Sequence, residues 1–262
     1  MEVSSDGEVG DKARFVRGVE QALLEGEAEI GVHSAKDLPG EMTAGLAIAA
    51  VPAREDPADV WIGVGDSLDD VPEGGRVGTA SLRRRAQLLA ARPDLVVSEL
   101  HGNVDTRLRK LAEGELDAIV LAAAGLRRLG REEEASFPIP AEAMTPAAGQ
   151  GALVLQARED DAASLEAAGA VGDETALREL TAERAAVALL EATCATPIGV
   201  HSRVEGEAIA IEAFVGLPDG SEWVRDRVEG AAAEPAAAGT LLAERLLAAG
   251  ARDLLDRAES LK

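Results

Sequence analysis

Between residues 28 and 158 short apolar runs alternate with stretches of helical periodicity, and this alternation restricts the chain more than any other feature. The runs 28–33 (AEIGVH), 46–51, 60–64, 76–79, 95–100, 117–121 and 152–158 have the length of strands. Strands separated by helices predict a mostly parallel sheet with helices packed on it, an α/β fold. Ahead of them Phe15, Val16, Val19, Leu23 and Leu24 recur at helical spacing, with Asp11 as the expected cap and Gly26 as the stop. After Asp173 the pattern changes. Asp173 caps a long helix, 175–191, with Leu177, Leu180, Val187 and Leu190 on one side. Runs 198–204, 208–217 and 223–228 follow, joined by turns at Glu205-Gly206 and Pro218-Asp219-Gly220, and a helix at 235–249 closes the chain. That order predicts a separate small α+β domain with a three-stranded antiparallel sheet.

Two linker-like stretches, 52–57 (PAREDP) and 144–151 (MTPAAGQG), flank the middle of the chain. The expected path leaves one lobe (1–52), builds a second (57–145), returns to the first (152–170) and ends in the C-terminal domain (174–262). Two crossings between lobes make a hinge and place a ligand cleft between strand ends.

Charge singles out one stretch. The chain carries 26 Lys plus Arg against 48 Asp plus Glu, a net −22, yet residues 77–110 reverse the balance. Arg83, Arg84, Arg85, Arg92, Arg107, Arg109 and Lys110 face only Asp94, Glu99 and Asp105 there. A basic island in an acidic protein points to an anion site, because local charge decides what a cleft attracts. Thr79, Ala80 and Ser81 lead from a strand into a helix, 82–91, whose first N–H groups form an anion cradle. Arg83 and Arg84 lie in its first turn, against the helix dipole, a position that suits holding an anion better than supporting the helix. Asn103 caps a second helix, which carries Arg107.

Composition excludes several partners. Three Phe, two Trp and no Tyr leave no platform for base stacking, and the net charge opposes phosphate-backbone binding, so no nucleic acid is expected. No run of 18 apolar residues exists, and the N-terminus has neither a basic start nor an apolar core, so neither a membrane span nor a signal peptide is expected. A single Cys cannot form an internal disulfide and fits a reducing compartment, which makes the expected location cytoplasmic. Only four of the cations are Lys, the composition of a high-GC genome or a high-salt cytoplasm.

The ordered set HSAKDLP (33–39), VGTASLRRR (77–85), GNVDTRL (102–108), AGLRRLG (124–130), GQGA (149–152) and CATPIG (194–199) resembles the hydroxymethylbilane synthase family, also called porphobilinogen deaminases. The match is collinear from about Lys12 to the C-terminus. The resemblance implies a transferase of porphyrin and heme biosynthesis that condenses four porphobilinogen molecules head to tail into hydroxymethylbilane, releasing ammonia each time. It implies a covalent dipyrromethane cofactor and no metal. It also implies two periplasmic-binding-protein-like lobes and a third domain bearing the cofactor cysteine, in an expected monomer. By motif match Asp37 is the catalytic carboxylate, and Cys194 carries the cofactor through a thioether. Lys12, Lys36, Thr79, Ser81, Arg83, Arg84 and Asn103 would bind cofactor, while Arg107, Arg128, Gln150 and His101 would bind substrate. The chemistry agrees: pyrroles bearing acetate and propionate make a polyanionic chain, and Arg pairs bidentately with carboxylates.

The sequence also departs from the family pattern. His101 stands where the family usually has Arg, a weaker and pH-dependent cation. The family's KGLF segment reads Lys12-Ala13-Arg14-Phe15, and Glu8 replaces a nearby lysine. The family's opening strand and helix, with an Arg-x-Ser motif, have no counterpart, so the first lobe is expected to lack them. A misassigned start or a fragment is the expected reason. The competing reading is a truncated or degenerate paralogue that only binds anions between two lobes.

Overall fold

A computed structural model describes residues 9–40, 42–192 and 196–261, with side chains from Arg14 onward. Helix α1 (Val9–Leu24) opens it, beginning before Asp11, which therefore lies inside the helix and is not its cap. Gly26 stops it as expected, at φ +73°, where residues with a Cβ are strained. Strand β1 (Gly31–Ser34) then runs into a 3-10 turn, Ala35–Asp37. Strand β2 (Leu46–Ala50) lies beyond β8 (Leu153–Arg158), which pairs antiparallel with both, in the order β1-β8-β2.

The middle of the chain builds a five-stranded sheet from β3 (Asp59–Gly63), β4 (Arg76–Gly78), β5 (Val96–Ser98), β6 (Ala118–Ala122) and β7 (Phe137–Ile139), in the order β5-β4-β6-β3-β7. Helices α2 (Leu82–Ala91), α3 (Val104–Ala112) and α4 (Ala123–Arg128) connect its strands. The parallel pairs are β4 with β5 and β4 with β6, while β3 runs antiparallel to β6 and β7. The expectation of mostly parallel sheets is thus corrected. Alternation in sequence requires crossovers only between consecutive strands of one sheet. Here β2 and β3 belong to different sheets, and β3 enters the second sheet reversed. Helix connections therefore did not report the direction of every pair.

Helix α5 (Ala162–Gly169) precedes α6 (Glu174–Leu190), whose cap is Asp173, its carboxylate accepting from Ala176 N at 2.8 Å. Strands β9 (Ile198–Glu205), β10 (Ala208–Gly216) and β11 (Trp223–Ala231) form the antiparallel three-stranded sheet in the order β11-β10-β9. Two helices, not one, follow: α7 (Pro235–Ala248) and α8 (Ala251–Ser260), divided at Gly250 with φ +98°. α6 and α7 cover this sheet, burying Leu190, Ile209, Ile211, Leu242 and Leu246 in an aliphatic core.

The chain is therefore a mixed α/β protein with a three-stranded antiparallel sheet. Among the described residues no helix is long and apolar enough to cross a membrane.

Candidate active site

The two crossings between sheets meet each other. Glu55 N donates to Gly151 O at 3.1 Å, and Arg54 Nε donates to Gln150 O at 3.0 Å. Gly149 lies so close to the Ala35–Lys36 backbone that a Cβ there would fall 2.8 Å from Ala35 Cβ and 2.9 Å from Lys36 N. Its φ of +72° demands glycine as well. The GQG segment thus abuts the turn that carries Lys36 and Asp37, while Gln150 reaches the other way, into the second sheet. β1 delivers that turn with help from a buried polar chain. His33 Nε2 lies 3.0 Å from Gln156 Oε1, Gln156 Nε2 donates to Glu20 Oε1 at 3.1 Å, and Thr43 Oγ1 donates to Glu20 Oε2 at 2.9 Å.

Gln150 ends at Asp59, the first residue of β3 and fully buried. Four donor contacts converge on the Asp59 carboxylate. Arg83 Nη1 donates to Oδ2 at 2.6 Å, and Arg84 Nε and Nη2 donate to Oδ1 at 3.0 and 2.7 Å. Gln150 Nε2 donates to Oδ1 at 3.0 Å and to Pro57 O at 2.7 Å. Arg83 Nη1 also donates to Thr145 O, and Arg84 Nη1 to Val120 O. Burial alone would raise the Asp59 carboxyl, but the guanidiniums of Arg83 and Arg84 overcome this and hold it well below the usual carboxylate range. The arginines at the start of α2 do hold an anion, as their position against the dipole implied, but it is the protein's own Asp59. Both are nearly buried, at 5% and 6% exposure, so a ligand can reach only the edges of their forks.

The hydroxyls of this motif shape the turn. Thr79, also buried, accepts from Ser81 N at 3.2 Å, and Ser81 caps α2 by accepting from Arg84 N at 3.4 Å. Gln87 exchanges bonds with Thr145, accepting from its N at 2.7 Å and donating to its O at 3.0 Å, and β11 adds Arg225 Nη2 at 3.1 Å from Gln87 Oε1. The helix start is thereby clamped between two sheets and the second crossing.

Asn103 caps α3, its Oδ1 accepting from Thr106 N at 2.9 Å. Among the described residues Arg107, one turn in, makes one side-chain hydrogen bond, Nε to Gly102 O at 2.7 Å, and pairs with no carboxylate. Burial pushes its guanidinium below the ordinary arginine value, so a ligand carboxylate would compensate a desolvated cation. It lies near enough to weaken the charged form of Arg84. Arg128, exposed at the end of α4, donates to Gly151 O at 2.8 Å, which brings it to the same crossing. The structure thus brings Arg83, Arg84, Arg128 and Gln150 around one crossing, with Arg107 close enough to act on Arg84 and the Ala35–Lys36 backbone against Gly149. His101 is half-exposed, its Nε2 3.0 Å from Glu99 Oε2. Lys12 lies in α1, with its side chain outside the described residues, and Cys194 lies outside them altogether.

Sequence reasoning passed over the buried carboxylates. Besides Asp59 there is Glu183, on α6, fully buried. It accepts from Arg54 Nη1 and Nη2 at 2.7 and 3.1 Å, from Gly149 N at 2.6 Å and from Ser202 N at 2.8 Å. It ties both crossings to the third sheet. The available signal was a lone acid inside an apolar run: Asp59 before Val-Trp-Ile, and Glu183 among alanines in TAERAAVALL. Neither is compatible with a buried face unless paired.

Burial would raise the Glu183 carboxyl, but Arg54 and His201 beside it hold it at about 2, against an ordinary 4.5. A depressed carboxyl contributes stability that is complete above about 4.5 and is lost as pH falls through about 2. Glu183→Gln removes the nearer carboxylate from Arg54 and leaves it Glu179 at 3.3 Å, and breaking such a buried pair costs up to about 3–5 kcal/mol. At roughly 2–4 °C per kcal/mol, the expected fall in Tm is on the order of 10 °C. Calorimetry at pH 7 checks it, and the difference from wild type should narrow as the pH is taken from 4.5 towards 2.

A cavity of about 310 Å³ opens beside the first crossing, lined by Arg54, Glu55, Asp56, Pro57, Glu179, His201, Ser202 and Arg203, and it includes none of the residues singled out from sequence. Among the described residues no group of three or more His, Cys, Asp or Glu could hold a metal ion.

Comparison with known proteins adds a family. A model described as the porphobilinogen deaminase dipyromethane cofactor binding domain matches residues 4–166, and one for the porphobilinogen deaminase C-terminal domain matches residues 177–248. The porphobilinogen deaminase of Trichlorobacter lovleyi is 43% identical over 249 residues, covering 95% of this chain and 80% of that protein. Those of Campylobacter concisus and Brevibacillus brevis are 44% and 45% identical, covering 97% and 94% of this chain and 82% and 80% of theirs. Among solved structures, a TRAP periplasmic solute binding protein from Desulfovibrio salexigens is 12% identical over 61% of this chain and 59% of its own, with a TM-score of 0.39.

Proposed function

This chain belongs to the porphobilinogen deaminase family, and on that premise we propose how its residues divide the work. The enzyme is a transferase, hydroxymethylbilane synthase, of tetrapyrrole and heme biosynthesis. It joins four porphobilinogen molecules head to tail with release of ammonia and uses a dipyrromethane cofactor. The reading as a paralogue that only binds anions is not favoured.

The residues fit a group bearing carboxylates, and Arg107 carries the argument. It is a desolvated guanidinium whose two Nη groups meet no partner among the described residues, beside a pair of arginines, in a protein of net −22. Thr79, Ser81, Arg83, Arg84, Lys12, Lys36 and Asn103 would hold the cofactor, with Cys194 bonded to it. Arg107, Arg128, Gln150 and His101 would receive substrate carboxylates. The cofactor, when bound, supplies the pyrrole carbon to which the first substrate is joined.

Asp37 does the proton work. Its carboxylate accepts a hydrogen bond from the substrate's pyrrole N–H, stabilises the positive charge that develops as the aminomethyl nitrogen leaves, and takes up the ring proton afterwards. The GQG segment packs against Ala35–Lys36 and so supports the turn that carries Asp37, and such positioning is what a condensation needs.

The fold supports a finer division. Lobe 1 comprises 1–52 and 152–170, lobe 2 comprises 57–145, and the cofactor-attachment domain is 174–262, the lobes being of periplasmic-binding-protein type. The enzyme works as a cytoplasmic monomer without nucleic acid or membrane.

The test is incubation with porphobilinogen, following ammonia release alongside intact-protein mass. Turnover with a covalent adduct supports the reading, and neither adduct nor ammonia would refute it. Arg107→Leu is expected to cost about 2–5 kcal/mol of carboxylate binding. The mass spectrum of that variant should show either no adduct or stalled intermediates, whereas wild-type kinetics would make Arg107 a surface charge.

A further inference from the structure

Arg107 has a counterpart on α6. Arg184 is half-buried, and its Nη2 donates to Gly40 O at 2.8 Å. Among the described residues that is its one side-chain hydrogen bond, and it pairs with no carboxylate. Burial pushes its guanidinium below the ordinary arginine value, as it does for Arg107. Elsewhere in the protein desolvated arginines are offset by its own acids, Arg83 and Arg84 by Asp59 and Arg54 by Glu183. In a chain with 48 acidic residues, an arginine left without one is open to an acid from outside the chain.

What surrounds Arg184 is the turn that carries Asp37. Ala176 and Leu180 of α6 share one core with Ala35 and Leu38, so this stripe of the helix packs on that turn. Arg184 continues the stripe one helical turn further on, at the i+4 spacing that keeps residues on one face. It meets the chain at Gly40, three residues after Asp37. Its neighbour Glu183 takes Gly149 N, and Gly149 abuts Ala35–Lys36. Residues 183 and 184 thus bear on the segment before and after Asp37, the first through Gly149 and the second directly. The space beside Gly40 is open, since a Cβ there would meet no described atom within 4 Å. None of the arginines between 77 and 110 lies on α6, which leads instead, ten residues after Arg184, to Cys194.

A pyrrole chain tethered at Cys194 and extended beside Asp37 lengthens between those two points, and every ring adds an acetate and a propionate. Cofactor carboxylates fall to Arg83 and Arg84, and those of the incoming monomer to Arg107 and Arg128. The rings added in between need a cation of their own. Arg184 offers Nε and Nη1, which meet no partner among the described residues, and charge-assisted bonds from a guanidinium to a carboxylate are strong and directional. We infer that Arg184 is a further substrate-binding residue, which receives a carboxylate of the elongating chain between the Asp37 turn and the cofactor-bearing segment. This rests on the roles proposed for Asp37 and Cys194.

The test resolves the additions one by one: cofactor-loaded enzyme is mixed with limiting porphobilinogen, quenched at intervals and weighed intact. Arg184→Gln should keep the cofactor mass and make its first addition within about twofold of the wild-type rate, because the groups assigned to cofactor and monomer are untouched. Its later additions should slow about tenfold, the effect of one lost carboxylate contact, so that partly extended enzyme accumulates. Arg184→Lys keeps the charge and should recover much of the later rates. Added salt should slow the later additions of the wild type more than those of Arg184→Gln, since salt screens an ion pair and spares a bond to a backbone carbonyl. An arginine that only braces Gly40 would give another pattern: Arg184→Gln would lower Tm, slow every addition alike and leave the salt response unchanged. That pattern, or a wild-type distribution of masses in Arg184→Gln, would overturn the role of Arg184 alone. Failure of the wild type to take up any pyrrole would instead defeat the reading of the enzyme on which the role rests.

Discussion

Asp37→Asn is expected to cut turnover by about 10²–10⁴-fold, the range that a positioned proton-transfer group supplies. The residue ends the 3-10 turn after β1, half-buried, in a segment held by β8 on one side and by Gly149 on the other. Asparagine keeps the shape and can still accept one hydrogen bond, so folding and substrate binding should change little. It cannot offset a developing positive charge or accept a proton, and those are the tasks the substrate demands when ammonia leaves and the ring proton is lost. Asp37→Glu keeps the charge but moves it by one methylene, so part of the activity should survive. Steady-state kinetics with porphobilinogen, read as kcat separately from KM, check this. Near-native kcat in Asp37→Asn with an unchanged pH profile would place the catalytic group elsewhere.

Cys194→Ala should abolish turnover outright. The enzyme uses a dipyrromethane cofactor, and this chain offers one sulfhydryl to which a thioether can form. A thiolate is the nucleophile in such a bond, so its ionised fraction governs attachment. Alanine removes only the sulfur and should leave the β9–β10–β11 domain folded, because the core there is built from Leu190, Ile209, Ile211, Leu242 and Leu246. Intact mass should then match the bare chain, and adding porphobilinogen should yield no ammonia. An adduct of unchanged mass on the variant would locate the attachment at another residue.

These two residues are proposed from sequence because each sits in a contiguous motif. HSAKDLP and CATPIG read in order along the chain, and local sequence is enough to name them. The helix α2 was legible over 82–91, led into by Thr79, Ala80 and Ser81, since helix starts and apolar spacing are local properties. The antiparallel run of β3 was not, because strand direction depends on which sheet receives the strand.

What the sequence determined by itself was the alternation of elements, the three-stranded C-terminal sheet, the basic island at 77–110 and the order of motifs that identifies the family. All of these follow from neighbours within a few residues, where periodicity, capping and charge act. Only the tertiary structure decided what the arginines face. Asp59 lies 24 and 25 residues from Arg83 and Arg84, and 91 from Gln150, while Glu183 lies 129 from Arg54. No local pattern connects such residues. They meet because a buried charge is stable only beside its counter-charge, and the fold is what brings the two together.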